Sequence, residues 1–396
     1  MTAYADRLEA LIAEAADRCT GCGKCFEACP TARESGLDMA AGVQRVGELV
    51  ALTRDGGSAA PVLQSWLNAC DGSARCSAAC PEDINVRQWV TIAKLKAYKD
   101  SSVAMMRAAQ ARGHQIFAIE PGGVFSSRGV VQAFAQPIAV SDDDHDWYEL
   151  YEKATIPLNE FDAVIERKDP PFDMEYIYHT YLFERAADQG ARVFNRPGAI
   201  RDNNEKMAIL KHPDMIAATT VTRSTQVLRD FVHEYGDAIF KPLDGMGGSG
   251  IFHVRDGDKN LSVIIETLTR HGTQTIMAQR FLPEIVDGDK RILLIGGEVV
   301  PFALARIPMI GETRGNMAAG GRPEARPLTD SDRQIAETMA RRLWAEGLFL
   351  VGLDVIGSKV TEINVTSPTG FVEIKAQTGF DVATMFIRNL ESVLQS

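Results

Sequence analysis

Seven cysteines fall between positions 19 and 80 of this 396-residue chain, and no cysteine follows them. An odd, clustered set of this kind points to metal rather than to disulfides. The first run reads Cys19-Thr-Gly-Cys22-Gly-Lys-Cys25-Phe-Glu-Ala-Cys29-Pro30. Its C-x2-C-x2-C-x3-C-P spacing wraps a cubane iron–sulphur cluster, and in two-cluster proteins the fourth cysteine serves the other cluster. A zinc site is the alternative, although zinc knuckles rarely combine this run with a closing proline. The second run is Cys70-Asp-Gly-Ser73-Ala-Arg-Cys76-Ser-Ala-Ala-Cys80-Pro81. Ser73 stands where a full repeat would have its middle cysteine. A small metal-organised domain is therefore expected over residues 1–95.

Composition bounds the rest. The length allows two or three domains, and 45% hydrophobic with 24% charged residues is ordinary for a soluble globular chain. A net charge of −11 without any basic run argues against nucleic acid as a partner. No apolar run is long enough to span a bilayer. Residues 1–18 read as an amphipathic helix, with Leu8, Leu11 and Ile12 at helical spacing, and lack the apolar core of a signal peptide. A cytoplasmic location is expected.

The second constraint is Lys241-Pro-Leu-Asp-Gly-Met-Gly-Gly-Ser-Gly250, set between two apolar stretches. It reads as strand, glycine loop, strand. Gly245, Gly247 and Gly248 leave backbone N–H groups uncovered for phosphate oxygens, and Lys241 adds a point charge. The loop follows neither the Walker A pattern nor the dinucleotide fingerprint; a plain hairpin turn is the alternative.

Between these landmarks strands and helices alternate, which predicts an α/β layer domain over 96–200; a further domain is expected over 201–396. Val43, Val46, Leu49 and Val50 are expected in a buried helix, and Val86 to Ala97 in another. Further expectations are a helix over Val103–Arg112, a strand at 116–119 turning at Glu120–Gly123, and a hairpin and loop over 128–148. A strand over Phe161–Ile165 follows, then a helix over Met174–Gly190 and a strand at Arg192–Phe194. A helix is expected to start at Arg201. Thr225–Tyr235 and 331–345 read as helices, and Asp289–Ile295, Val299–Arg306, Phe349–Ile356 and Val360–Val365 as strands. The glycine-rich, charged segment 310–322 reads as an active-site lid.

Two resemblances follow from these stretches. The paired cysteine runs, over about residues 15–95, resemble the iron–sulphur subunits of succinate dehydrogenase and fumarate reductase. That resemblance implies Cys19, Cys22, Cys25 and Cys80 on a [4Fe-4S] cluster, and Cys29, Cys70 and Cys76 on a second. The second is expected as [3Fe-4S], because Ser73 supplies no thiolate; a [4Fe-4S] centre with serine or water on its fourth iron is the alternative.

Residues from about 99 to 390 resemble bacterial glutathione synthetase of the ATP-grasp fold. The stretches are Lys99-Asp-Ser-Ser102, Arg167-Lys-Asp-Pro-Pro-Phe-Asp173, Arg201-Asp-Asn-Asn-Glu-Lys206, the glycine stretch, Asp289-Lys-Arg291, Ala305-Arg-Ile-Pro308, 311–316, Gly320-Gly-Arg322 and 361–369. The fold implied is an ATP-grasp domain preceded by an α/β substrate domain, joined to a small α-helical ferredoxin-type domain. The first strand of the substrate domain is expected to be absent or rebuilt from 84–97. The activity implied is ligation of γ-glutamylcysteine to glycine with ATP split to ADP and phosphate.

The resemblance also assigns roles. Lys206 and Lys241 would hold ATP phosphates, and Gln279, Phe281 and Leu282 the adenine side. Glu362 and Asn364, two apart on one strand, share a face, and with Asp354 opposite would hold Mg²⁺. Arg291 would neutralise the phosphates, while Arg306 and Arg314 would stabilise the tetrahedral intermediate and clamp carboxylates. Ser102, Arg167, Asp169, Arg322, Ser367 and Thr369 are expected substrate contacts. Expected partners are a thiol dipeptide, an amino acid, ATP, a redox partner protein and further copies of the chain. A ligase for another thiol peptide, or an electron-transfer or docking protein that only binds nucleotide, are the competing readings.

Overall fold

The computed structural model describes residues 15–34, 37–55, 63, 66–67, 75–82, 84, 86, 100–144, 147–244, 250–309, 314–315 and 321–395. Two compact units emerge: residues 1–100 with 138–150, and residues 101–137 with 151–396.

Among the described residues, the first unit carries helices and a short β-ladder. Its described helices include α1 (Lys24–Glu27), α2 (Pro30–Glu34), α3 (Gly42–Asp55) and α4 (Arg75–Ala78). Phe26, Leu49, Leu63, Trp66 and Leu67 form its core with Cys25 and Cys29, and the Phe26 and Trp66 rings meet edge to face at 4.9 Å. Gly23 caps α1 with φ 78°, and a Cβ there would lie 2.8 Å from Val43 N, so the cysteine turn and α3 pack too closely for any side chain. Val46 and Leu49 are buried as expected, but Val43 is 62% exposed. It opens α3 on the outward face, so the apolar spacing there overstates the core. The expected helix over 1–18 is described only at 15–18, and residues 87–99, with the rebuilt first strand, lie outside the described residues.

The second unit opens with α5 (Ser101–Ala111). β1 (Ile116–Ser127) and β2 (Val130–Val140) follow, with β3 (Tyr148–Leu150) and β4 (Ala154–Pro157) both pairing with β2; residues 138–150 fall in the first unit. The expected turn at Glu120–Gly123 is instead strand. The hairpin turns at Arg128 and Gly129, whose φ values of 52° and 81° match the twist of the flanking strands. The strand expected over Phe161–Ile165 shrinks to β5 (Val164–Ile165), parallel to β6 (Val193–Phe194). Between them α6 (Met174–Asp188) starts where the Asp173 side chain accepts from Tyr176 N at 2.9 Å. Arg201 does not start a helix. It lies near the end of α7 (Pro197–Asp202), because Pro197 opens the turn and fixes its register.

Two antiparallel sheets make up the remainder. β7 (Thr219–Thr222), β8 (Asp237–Pro242), β9 (Phe252–Arg255) and β10 (Ile276–Arg280) take the order β7-β10-β8-β9, backed by α8 (Thr225–Tyr235) and α9 (Leu261–Leu268). β11 (Asp289–Ile295), β12 (Glu298–Ile307), β13 (Arg322–Pro327), β14 (Leu350–Ile356) and β15 (Lys359–Asn364) take the order β13-β12-β11-β14-β15. Ile292 and Leu294 point to one core with α10 (Asp330–Ala345). Leu293 and Ile295 point to another, with α5, α11 (Phe371–Thr378) and α12 (Val382–Gln395). Burial on both faces explains the unbroken apolar run of β11. The helices α11 and α12 were not anticipated.

Candidate functional site

A cleft of about 270 Å³ opens in the second unit, lined from both antiparallel sheets. β8 contributes Lys241 and β10 contributes Gln279, with Phe281 and Leu282 just beyond it. β11 contributes Asp289 and Arg291, β14 Asp354, and β15 Glu362 and Asn364; Lys206 and Arg314 also line it. The register produces this convergence. Arg291 faces Asp354 across β11 and β14, and Asp354 faces Glu362 across β14 and β15.

The charges are tightly paired. Arg291 grips Asp354 with two bonds of 2.6 and 3.0 Å, and Arg306 reaches the same carboxylate at 2.8 Å. Burial alone would raise Asp354, but the two guanidiniums outweigh it and hold the carboxyl well below the usual range. Arg306 also bonds Asp289, which burial pushes upward. Gly352 makes the first pairing possible: a Cβ there would sit 2.8 Å from Arg291 Cδ, blocking its path to Asp354.

Lys206 Nζ lies 3.0 Å from Glu362, and Lys241 Nζ donates to the Thr361 carbonyl at 3.1 Å. Burial pulls Lys241 down to about 8, against the opposing pull of Glu362. Gln279 is fixed by a 3.1 Å bond to Thr219.

Among the expected substrate residues, Arg167 donates to Ser102 Oγ and to the Pro368 carbonyl, both at 3.1 Å. Ser367 bonds Asp169, and Asp169, Ser367 and Thr369 all line the cleft. Ser102, Arg167 and Arg306 do not line it, and Arg306 stands behind Asp354. Arg322 opens β13, 72% exposed, paired with Glu324 at 3.4 Å. Of the expected lid, Arg314, Gly315, Gly321 and Arg322 are described, and Gly315 passes against Arg306 O and the Asp289 side chain so closely that a Cβ would overlap them. Gly245, Gly247 and Gly248 lie outside the described residues.

Two lining carboxylates had no assigned role. Glu205 accepts from Val365 N, Thr366 N and Thr366 Oγ1 at 3.1, 3.2 and 2.7 Å, which pins the chain just after β15. Asp289 is two residues from Arg291 and so shares its face; that alternation was the signal that could have found it.

Among the described residues, no three His, Cys, Asp or Glu side chains form a metal cage. Asp354, Glu362 and Asn364 instead offer two carboxylates and an amide beside three cations. This donor set suits Mg²⁺, which takes few protein oxygens and completes its shell with phosphate and water.

In the first unit Cys19, Cys22, Cys25 and Cys80 line one small cavity, the four expected on the first cluster. Arg18 bonds the Glu82 carbonyl nearby. Burial, with Cys19 and Cys76 close by, pushes the Cys25 thiol up to about 12. A bound metal would reverse that preference, because a coordinating thiol is deprotonated. Cys29 and Cys76 lie outside this lining, and Cys29 Sγ is 3.2 Å from Thr31 Oγ1. Cys70 and Ser73 lie outside the described residues.

Comparison with known proteins matches three family models along the chain. Residues 15–84 match a 4Fe-4S dicluster domain, 88–201 the N-terminal domain of prokaryotic glutathione synthetase, and 205–379 its ATP-grasp domain. The chain is 56% identical over 300 residues to a glutathione synthetase of Ralstonia nicotianae, covering 76% of this chain and 93% of the relative. It is 58% identical over 303 residues to one of Bordetella parapertussis, covering 75% and 95%. Among solved structures, the ATP-grasp ligase PsnB with its minimal precursor aligns at 19% identity and a TM-score of 0.49, covering 75% of this chain and 96% of that one.

Proposed function

Because the chain belongs to the prokaryotic glutathione synthetase family, we propose that it joins γ-glutamylcysteine to glycine, with ATP split to ADP and phosphate. It is an ADP-forming ATP-grasp ligase with an N-terminal 4Fe-4S dicluster domain. The observation that supports the specific reading is the convergence of Lys206, Lys241, Arg291, Asp354, Glu362 and Asn364 in one cleft.

In this reading Lys206 and Lys241 bind the ATP phosphates, and Phe281 and Leu282 hold the base. The substrate carboxylate attacks the γ-phosphate, giving an acyl phosphate; the amine then displaces phosphate through a tetrahedral intermediate. Such transfer depends on positioning and charge neutralisation. Arg291 is held in place by Asp354 and directs its remaining N–H groups at the transferred group. Asp354, Glu362 and Asn364 would hold Mg²⁺, which supplies further neutralisation when bound. Arg314, on the segment crossing Asp289, is placed to clamp a carboxylate and to keep water from the acyl phosphate.

The dicluster domain is read as a redox or docking module. Ligation itself moves no electrons, whereas substrate and product are both thiols. Its first cluster takes Cys19, Cys22, Cys25 and Cys80. Its second takes Cys29, Cys70 and Cys76 and is [3Fe-4S], because Ser73 offers no thiolate. Association into a homo-oligomer and a redox partner belong to the same reading.

With ATP, Mg²⁺, γ-glutamylcysteine and glycine, the anaerobically purified chain is expected to release ADP and form glutathione. Lys241→Ala is expected to lower kcat/KM by about 10²–10³, the range for removing one preorganised donor. ADP release without glutathione would redirect the substrate assignment, and Lys241→Ala turning over at the unaltered rate would remove that lysine from the site.

A further inference from the structure

His253 follows the glycine stretch by three residues, on β9, in register with Ile239 of β8. Its imidazole stacks on the phenyl ring of Phe281, with centroids 4.1 Å apart and planes 18° from parallel. Phe281 lines the cleft, whereas His253 stands behind it, only 17% of its side chain exposed. Asp237 closes the arrangement from the other end. Its carboxylate bonds His253 Nε2, while its backbone carbonyl accepts from Phe281 N at 3.1 Å. The second carboxylate oxygen of Asp237 lies 3.6 Å from Arg255 Nε. The aspartate thus holds the backbone of Phe281 and the ring that covers its side chain.

We propose that His253 is a positioning residue for the nucleotide base. It covers one face of Phe281 and fixes that ring, so that the surface left facing the cleft is ready to pack on adenine. The inference rests on the reading of the cleft as the nucleotide site. The physical reason is preorganisation. A phenyl ring just past the end of β10 would otherwise be ordered only when nucleotide arrives, and that ordering weakens binding. A second aromatic ring adds its own attraction and leaves the opposite face free. Because β9 also follows the glycine stretch directly, one short segment ties the base platform to the proposed phosphate loop. A stack that served only folding would have no preference between ligands with and without a base.

The test titrates the full chain by calorimetry with ADP and with inorganic tripolyphosphate, which has no base. His253→Ala is expected to weaken ADP roughly two- to twelvefold, the range an aromatic pair contributes, with tripolyphosphate unchanged. His253→Phe keeps the stack without the Asp237 bond and is expected to recover most of the loss. In turnover the His253→Ala loss falls on KM for ATP rather than on kcat. Unchanged ADP affinity in His253→Ala, or equal losses for both ligands, would overturn the proposal. Because this binding is read without turnover, absence of glutathione formation by the unaltered chain would sink the ligase reading alone. Absence of ADP binding by that chain would overturn both.

Discussion

Lys241 is 6% exposed, and burial pulls its ammonium down to about 8. The sign of the consequence depends on which form binds phosphate. Below about pH 8 the free protein carries the ammonium and attracts the polyanion. As pH rises through about 8 the amine becomes neutral, and ATP binding loses one charge partner. KM for ATP is therefore expected to be flat from about pH 6 and to climb above about pH 8, where an ordinary lysine stays protonated until about 10. Lys241→Arg should flatten the climb, because a guanidinium keeps its proton. Initial rates against pH decide it, and a wild-type profile flat to about pH 9.5 would show that Lys241 retains its proton through that range.

At the scale of elements, β15 carries Glu362 and Asn364 and is anchored from outside its own sheet by Glu205. The Glu205 backbone carbonyl accepts from Ile363 N at 2.9 Å, and its side chain takes the three bonds from Val365 and Thr366. Glu205→Ala would strand two backbone N–H groups, and each orphaned group costs about 1–3 kcal/mol. Destabilisation of about 2–6 kcal/mol is expected, together with weaker Mg-ATP binding. Urea unfolding that shifts by less than about 0.5 kcal/mol would show that water replaces the clamp. Strands of this sheet were readable beforehand because β11, β12 and β14 are largely apolar and β15 alternates apolar with polar residues across the turn at Gly357. Elements that depend on distant partners were not readable. α11 starts after Gly370 with no side-chain cap, and the two-residue β5 exists only through its pairing with β6. The site divides in the same way. Asp354, Glu362 and Asn364 were legible from strand alternation, whereas the His253–Phe281 stack joins residues 28 apart that only the order β10-β8-β9 brings together.

At the scale of the whole chain, a ligase is joined to a domain whose chemistry ligation does not use. If the module senses redox state, oxidised and reduced protein should differ in KM for γ-glutamylcysteine while ADP affinity stays level. Cys22→Ser should remove that difference, and Ser73→Cys should add iron to the second cluster. Anaerobic kinetics at two poised potentials with iron counting make the measurement, and equal KM values in both states would end the regulatory reading. Core packing decides how far the loss of a cluster spreads. Among the described residues, Phe26, Leu49 and Trp66 pack in one core of the first unit, while the members of the four other cores all lie at Ala104 or beyond. For a growing cell the expected consequence is that iron supply and peptide ligation are separable accidents: a chain made during iron starvation should keep a foldable ligase and lose only what the metal adds, and cluster repair should then restore an old molecule without a new one being synthesised.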